Sequence, residues 1–121
     1  MPNAHPVAVV ERWSKAINAG DDQAAADLFA DHATVIQGGH RIKLAGRGEA
    51  LSFNMGLPCG GRIVQRSVSG DAVTATFALT QRPGHVCDGP GQDAVARFRI
   101  ADGKIVVWHQ LPTPAANTQT A

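Results

Sequence analysis

The chain has 121 residues, 44% of them hydrophobic and 17% charged, and its 11 lysines and arginines against 10 acids leave a formal charge of +1. That length holds one hydrophobic core and not two, so a single domain is expected. The balanced charge gives no electrostatic footprint for nucleic acid or an acidic membrane surface, and no apolar run approaches the ~20 residues of a membrane helix.

The opening Met1-Pro2-Asn3-Ala4-His5-Pro6 lacks the basic-then-apolar order of a secretory signal, so a cytoplasmic location is the expectation. Residues 6–19, PVAVVERWSKAINA, place Val9, Val10, Trp13, Ala16 and Ile17 three and four apart, a helical stripe with Glu11 and Lys15 paired on the polar side. Gly20 suits the left-handed position after a helix end, and Asp21 or Asp22 can cap a second helix over DDQAAADLFA. HATVIQ then reads as a short strand, and RIKL as another after the Gly38-Gly39 turn. A third helix is expected over Gly46–Leu57, stopped by Pro58 and the Gly60-Gly61 pair.

Strands follow at 62–69, 72–82, 93–101 and 104–111, with short hairpin turns at Ser69-Gly70-Asp71 and Asp102-Gly103 and a longer Pro/Gly loop over 83–92. The tail, 113–121, is small and polar and is expected to be mobile, leaving residues 1–112 as the domain. Helices first and hairpins afterwards indicate an α+β domain with helices packed on one face of a curved sheet. Val106, Trp108 and Gln110 alternate on one face of the last strand, with Ile105, Val107 and His109 on the other.

The strand beginning at 62 and the one ending near 82 are antiparallel neighbours, which brings Cys59 and Cys87 to the same end of the sheet. A disulfide, or a metal site completed by His85, is geometrically allowed. The spacing lacks the tight ligand pairs of structural zinc, and two cysteines are no disulfide framework, so free thiols and no metal are expected.

VVERWSKAINAGDDQAAADLFADHATV, AGRGEALSF and ARFRIADGKIVVWHQLP occur in that order, and together they resemble the NTF2-like superfamily over residues 6–112. The nearest branch is that of the SnoaL-like polyketide cyclases and ketosteroid isomerase-like proteins. The resemblance implies a cone: three N-terminal helices packed on a strongly curved antiparallel sheet that encloses an apolar pocket. It also implies a homodimer, a small hydrophobic ligand of polycyclic size, and no cofactor.

In ketosteroid isomerases an acid that moves a proton ends the first strand, where this chain has Gln37. Trp13 matches the place of a tyrosine donor, and the second oxyanion donor falls at Ala94, with Asp93 one residue away. A neutral amide cannot be the base, so classical ketosteroid isomerisation is not expected. The candidate proton carriers are His40, close after the Gly38-Gly39 turn, and Asp93 if the register slips by one; Gln37 would orient a water or a carbonyl.

Trp13, Gln37, Phe53, Asn54, Met55, Phe98, Trp108 and Gln110 are the candidate ligand contacts. For the apolar ones core packing is the competing role, and for His40 it is an exposed loop position. A cofactor-independent enzyme and a non-catalytic binding or dimerising module both fit these residues.

Overall fold

A computed structural model describes residues 5–112; the tail expected to be mobile lies outside the described residues. In chain order the elements are α1 (Pro6–Asn18), α2 (Asp22–Asp27), β1 (Phe29–Gln37), β2 (His40–Lys43), α3 (Gly46–Met55), β3 (Gly60–Ser69), β4 (Ala72–Thr80), β5 (Asp93–Ala101) and β6 (Lys104–Leu111). No helix among the described residues is long and apolar enough to cross a membrane.

The expected stripe organises the first helix: Val9, Val10, Trp13, Ala16 and Ile17 are all buried. Gly20 takes the left-handed conformation (φ +75°) after it, and the Asp21 carboxylate caps α2 by accepting from the Ala24 N–H at 3.0 Å. The second helix is shorter than its composition suggests. Phe29 leaves it to pair with Ile105 of β6, and the Ile105 N–H donates to the Leu28 carbonyl at 2.8 Å. A buried aromatic side chain in a sheet outweighs the small helix preference of those residues.

The six strands form one curved sheet, not closed into a barrel, in the order β2-β1-β6-β5-β4-β3. Every pairing is antiparallel except β1 with β6, which is parallel, so the sheet is mixed where hairpins alone suggested an antiparallel one. Two bulges help to bend it. Val64 is the extra residue where Ile63 faces Phe77 and Gln65 faces Thr76, and Val106 is the extra residue where Arg99 faces Val107 and Ile100 faces Ile105. The second bulge corrects the simple alternation on β6: Ile105 and Trp108 both point into the core, at 0% and 5% exposure. On the outer face Arg97 and Arg99 are exposed, and Arg99 pairs with Asp71 at 3.2 Å.

The aromatic side chains meet edge to face at the centre of the domain. Trp13 lies 5.3 Å from Phe98 and 6.1 Å from Trp108, and Phe53 lies 5.0 Å from Trp108. Around them runs a buried polar chain. The Trp13 indole N–H donates to Asn54 Oδ1 at 2.9 Å, and Asn54 Nδ2 donates to the Ala50 carbonyl at 2.7 Å. Arg82 Nη1 donates to the carbonyls of Asn54 (3.0 Å) and Leu57 (2.8 Å), and Nη2 to the Asp22 carboxylate. The guanidinium thus joins the end of β4, the carboxyl end of α3 and the start of α2. A cation at a helix C-terminus and an acid at a helix N-terminus each match the local dipole.

The cysteines depart from expectation. Cys59 and Cys87 are bonded, with Cα atoms 4.7 Å apart. The bond ties the segment before β3 to the loop after β4, the two pieces that strand pairing brings to one end of the sheet. His85, offered as a metal ligand, instead lies 2.8 Å from the Met55 carbonyl and 3.0 Å from that of Pro83. Among the described residues no group of three or more His, Cys, Asp or Glu is placed to hold a metal ion.

Two stability outcomes follow from these ties. Arg82→Met strands three acceptors and should lower the unfolding free energy by about 3 kcal/mol in urea titrations. Replacing both Cys59 and Cys87 by serine releases a link between residues 28 apart in sequence. Loop-closure entropy puts that loss at about 3–4 kcal/mol, to be read from the same titration against the oxidised parent.

Candidate functional site

A gradation in side-chain size opens a cavity at one end of the sheet. The inward positions of β5 read Ala94, Ala96, Phe98 and Ile100, so the deep end is filled by large side chains and the open end only by methyl groups. Opposite them Gly60 and Gly61 begin β3. A side chain at Gly61 would bring its Cβ to 2.9 Å from Phe77 Cβ, so nothing larger fits where the edge strand crosses that ring. The space left over is about 250 Å³. Its walls are Trp13, Ser14 and Ile17 of α1, Phe77 and Leu79 of β4, residues 94–96 of β5, Trp108 and Gln110 of β6, Gln37 of β1, and the 57–61 segment.

The polar groups in this wall are few and neutral. Ser14 Oγ donates to the Gly61 carbonyl at 3.3 Å, and Gln37 Nε2 donates to Gln110 Oε1 at 3.1 Å. The amides meet because β1 and β6 run parallel: Val35 faces Trp108 and Ile36 faces His109, so the next residue of each strand is a glutamine, and the two pair at the exposed rim of the cavity. The indole N–H of Trp108 is buried and has no acceptor. No lining residue carries an ionisable side chain, since Cys59 is disulfide-bonded.

The residues expected from sequence divide into three groups. Trp13, Gln37, Trp108 and Gln110 line the cavity together. Phe53, Asn54 and Phe98 do not; Phe53 packs on Phe29 and Trp108, while Asn54 and Phe98 are fully buried in the core, so core packing describes their surroundings. Met55 is 52% exposed and contributes its backbone carbonyl to His85.

The two proton carriers lie elsewhere. His40 is exposed at the start of β2 and is not in the wall. The register of β5 is unambiguous: Phe77 faces Ala94 and Ala78 faces Asp93, which leaves Ala94 in the wall and Asp93 exposed outside it. Neither is placed to exchange a proton with a molecule in the cavity. Asp27, whose carboxyl is held below its ordinary range first by the Arg47 hydrogen bond at 2.6 Å and further by the charges of Arg47 and Lys104, also lies outside the wall.

Sequence reasoning missed the residues that shape the cavity. Asn18 clamps the edge strand, accepting from the Gly61 N–H and donating to the Gly61 carbonyl, each at 2.8 Å. Arg82 is the last residue of what reads as the 72–82 strand. The signal for the first was the Gly60-Gly61 pair, where a strand backbone meets a helix end closely; a lone arginine before a proline carries no signal of burial.

The described fold and cavity define an NTF2-like protein. Three solved structures illustrate the likeness. An NTF2-like protein from Cytophaga hutchinsonii superposes with a TM-score of 0.74 at 13% identity, covering 97% of each chain. A candidate polyketide cyclase from Sinorhizobium meliloti gives 0.71 at 20% identity, over 86% of this chain and 94% of that one. A candidate ketosteroid isomerase from Kribbella flavida gives 0.68 at 19% identity, over 90% and 82%. At such identities the likeness speaks for the fold alone.

Among curated protein sequences none matches significantly. The family model of the SnoaL-like domain matches residues 10–108, and this chain belongs to that family.

Structural and cavity-facing polar residues should respond differently to substitution. Asn54→Leu leaves the buried Trp13 N–H without its acceptor and should cost about 2 kcal/mol in urea unfolding. Gln110→Ala, at the exposed rim, should stay within about 0.5 kcal/mol of the parent.

Proposed function

We propose that this protein binds a small, neutral, largely apolar molecule in the cavity and does not move protons on it. The observation that carries this reading is the composition of the wall: aromatic, aliphatic and glycine surface with amides and one hydroxyl, and no ionisable group. Acid–base chemistry on carbon needs a group of suitable pKa within hydrogen-bond reach of the proton. A charged ligand would lose its hydration without gaining a partner, which excludes anions and cations on energetic grounds.

Volume narrows the ligand further. An apolar cavity of ~150 Å³ holds one benzene, and drug-sized ligands occupy sites from ~300 Å³ upwards. A space of about 250 Å³ suits one or two rings better than a four-ring steroid. Against an isomerase-like reaction stands the lack of any acid or base in the wall to carry the proton. The Cys59–Cys87 bond favours an oxidising compartment over the reducing cytosol.

The chain's two tryptophans both line the cavity, so binding should be visible in their emission. Titration with β-tetralone, a neutral two-ring ketone with exchangeable protons, should give a saturable fluorescence change. NMR in deuterated buffer should show no acceleration of its proton exchange by the wild-type protein. Gln37→Asp, which puts a carboxylate at the cavity, should accelerate that exchange. Acceleration by the wild type would make the protein an enzyme and overturn the reading; no fluorescence change with β-tetralone or other neutral two-ring compounds would remove the cavity as a binding site.

A further inference from the structure

The amide pair at the cavity end specifies what kind of polar group the ligand carries. Gln37 and Gln110 satisfy each other only once: one N–H of Gln37 and one lone pair of the Gln110 carbonyl are used at 3.1 Å. Among the described residues neither amide has another partner, so the Gln37 carbonyl and the Gln110 NH₂ are both free. Exchanging the oxygen and nitrogen ends of both amides changes nothing in this respect, since the linked pair always leaves one carbonyl and one NH₂ unpaired. The strands fix the pair in place, because both glutamines follow the paired Ile36 and His109 on neighbouring parallel strands. The other polar side chains of the wall are the Ser14 hydroxyl, which donates to the Gly61 carbonyl, and the Trp108 indole N–H, a buried donor without an acceptor.

From this juxtaposition we infer that the ligand's polar end is a neutral group that both donates and accepts a hydrogen bond, an alcohol or phenol hydroxyl, held between the Gln37 carbonyl and the Gln110 NH₂. Of this pair a ketone or ether could use only the NH₂, which leaves the glutamine carbonyl to water. A carboxylate could use only the NH₂ and would lie against that carbonyl, which repels it. A hydroxyl uses both. Because the pair lies at the exposed rim, where water can also satisfy it, the preference for a hydroxyl is that of one exchanged hydrogen bond. This inference rests on the binding reading above and adds the chemistry of the polar end.

The test is calorimetric titration of the wild-type protein with β-naphthol, β-methoxynaphthalene and β-methylnaphthalene, three probes of similar size. It is repeated on the Gln37→Leu/Gln110→Leu variant and on the single variant Gln110→Met, which keeps the comparison available if the double variant does not fold. The wild type should bind β-naphthol about fivefold to tenfold more tightly than its methyl ether, the effect of one hydrogen bond. The affinity ratio of β-naphthol to β-methylnaphthalene should fall about tenfold or more in the double variant, and in the same direction by less in Gln110→Met. If that ratio is the same in the wild type and the variants, the amide handle is wrong while apolar binding stands. If none of the three probes binds the wild type, this inference and the binding reading fall together.

Discussion

A single buried guanidinium holds three parts of this domain in register, and the cavity depends on it. The Arg82 side chain is fully buried, and its Nη groups reach the Asn54 carbonyl in the last turn of α3, the Leu57 carbonyl just after it and the first carboxylate of α2. Burying such a charge is costly unless partners surround it, so the positions of α2 and α3 are coupled to that of the loop after β4. The same loop reaches the same segment twice more, through His85 at the Met55 carbonyl and through Cys87 at Cys59. Residues 57–61, which form one side of the cavity, are therefore fixed from outside the cavity. They need no contact within it, and the space stays open.

The cavity itself follows from where large side chains stop. Along β5 the inward positions shrink from Ile100 and Phe98 to Ala96 and Ala94, while Gly60 and Gly61 withhold side chains on the facing edge. A close-packed interior would fill such a gap, so an unfilled apolar end is a place where this chain gives up packing energy. Trp13, Phe77 and Trp108 form its aromatic surface, backed by Phe98 and Phe53, and the two glutamines form its polar margin. Gln37, at the end of β1, has another amide, Gln110, as its hydrogen-bond partner.

Much of this was legible in the residues. The apolar stripe of α1, the Gly20-Asp21 turn and the alternation of β4 and β5 each report a local periodicity, and local periodicity survives in sequence because one side chain's facing determines the next. The cavity residues Trp13, Gln37, Trp108 and Gln110 were found by the same logic joined to a family resemblance. The residues that lie outside the cavity share a cause. Asp93 and His40 were chosen for their chemistry, and their distance from the cavity depends on strand register and on a hairpin that carries its residues to the sheet edge. Phe98 on β5 and Asn54 on α3 face inward but lie deeper than the cavity, because depth along an element is set by which neighbours fill the space, not by periodicity.

The sequence by itself determined the class of the domain, the order of its elements, the balance of its charge and the neutrality of position 37, since these depend only on composition and on spacing along the chain. Only the tertiary structure decided that β1 lies parallel to β6 and so joins Gln37 to Gln110, that Val106 bulges and turns Ile105 inward, that Cys59 bonds Cys87, and that Arg82 is buried. Each of these links residues far apart in the chain. Such contacts form when the whole sheet closes over the helices, and no local pattern along the sequence records which distant partner each side chain meets there.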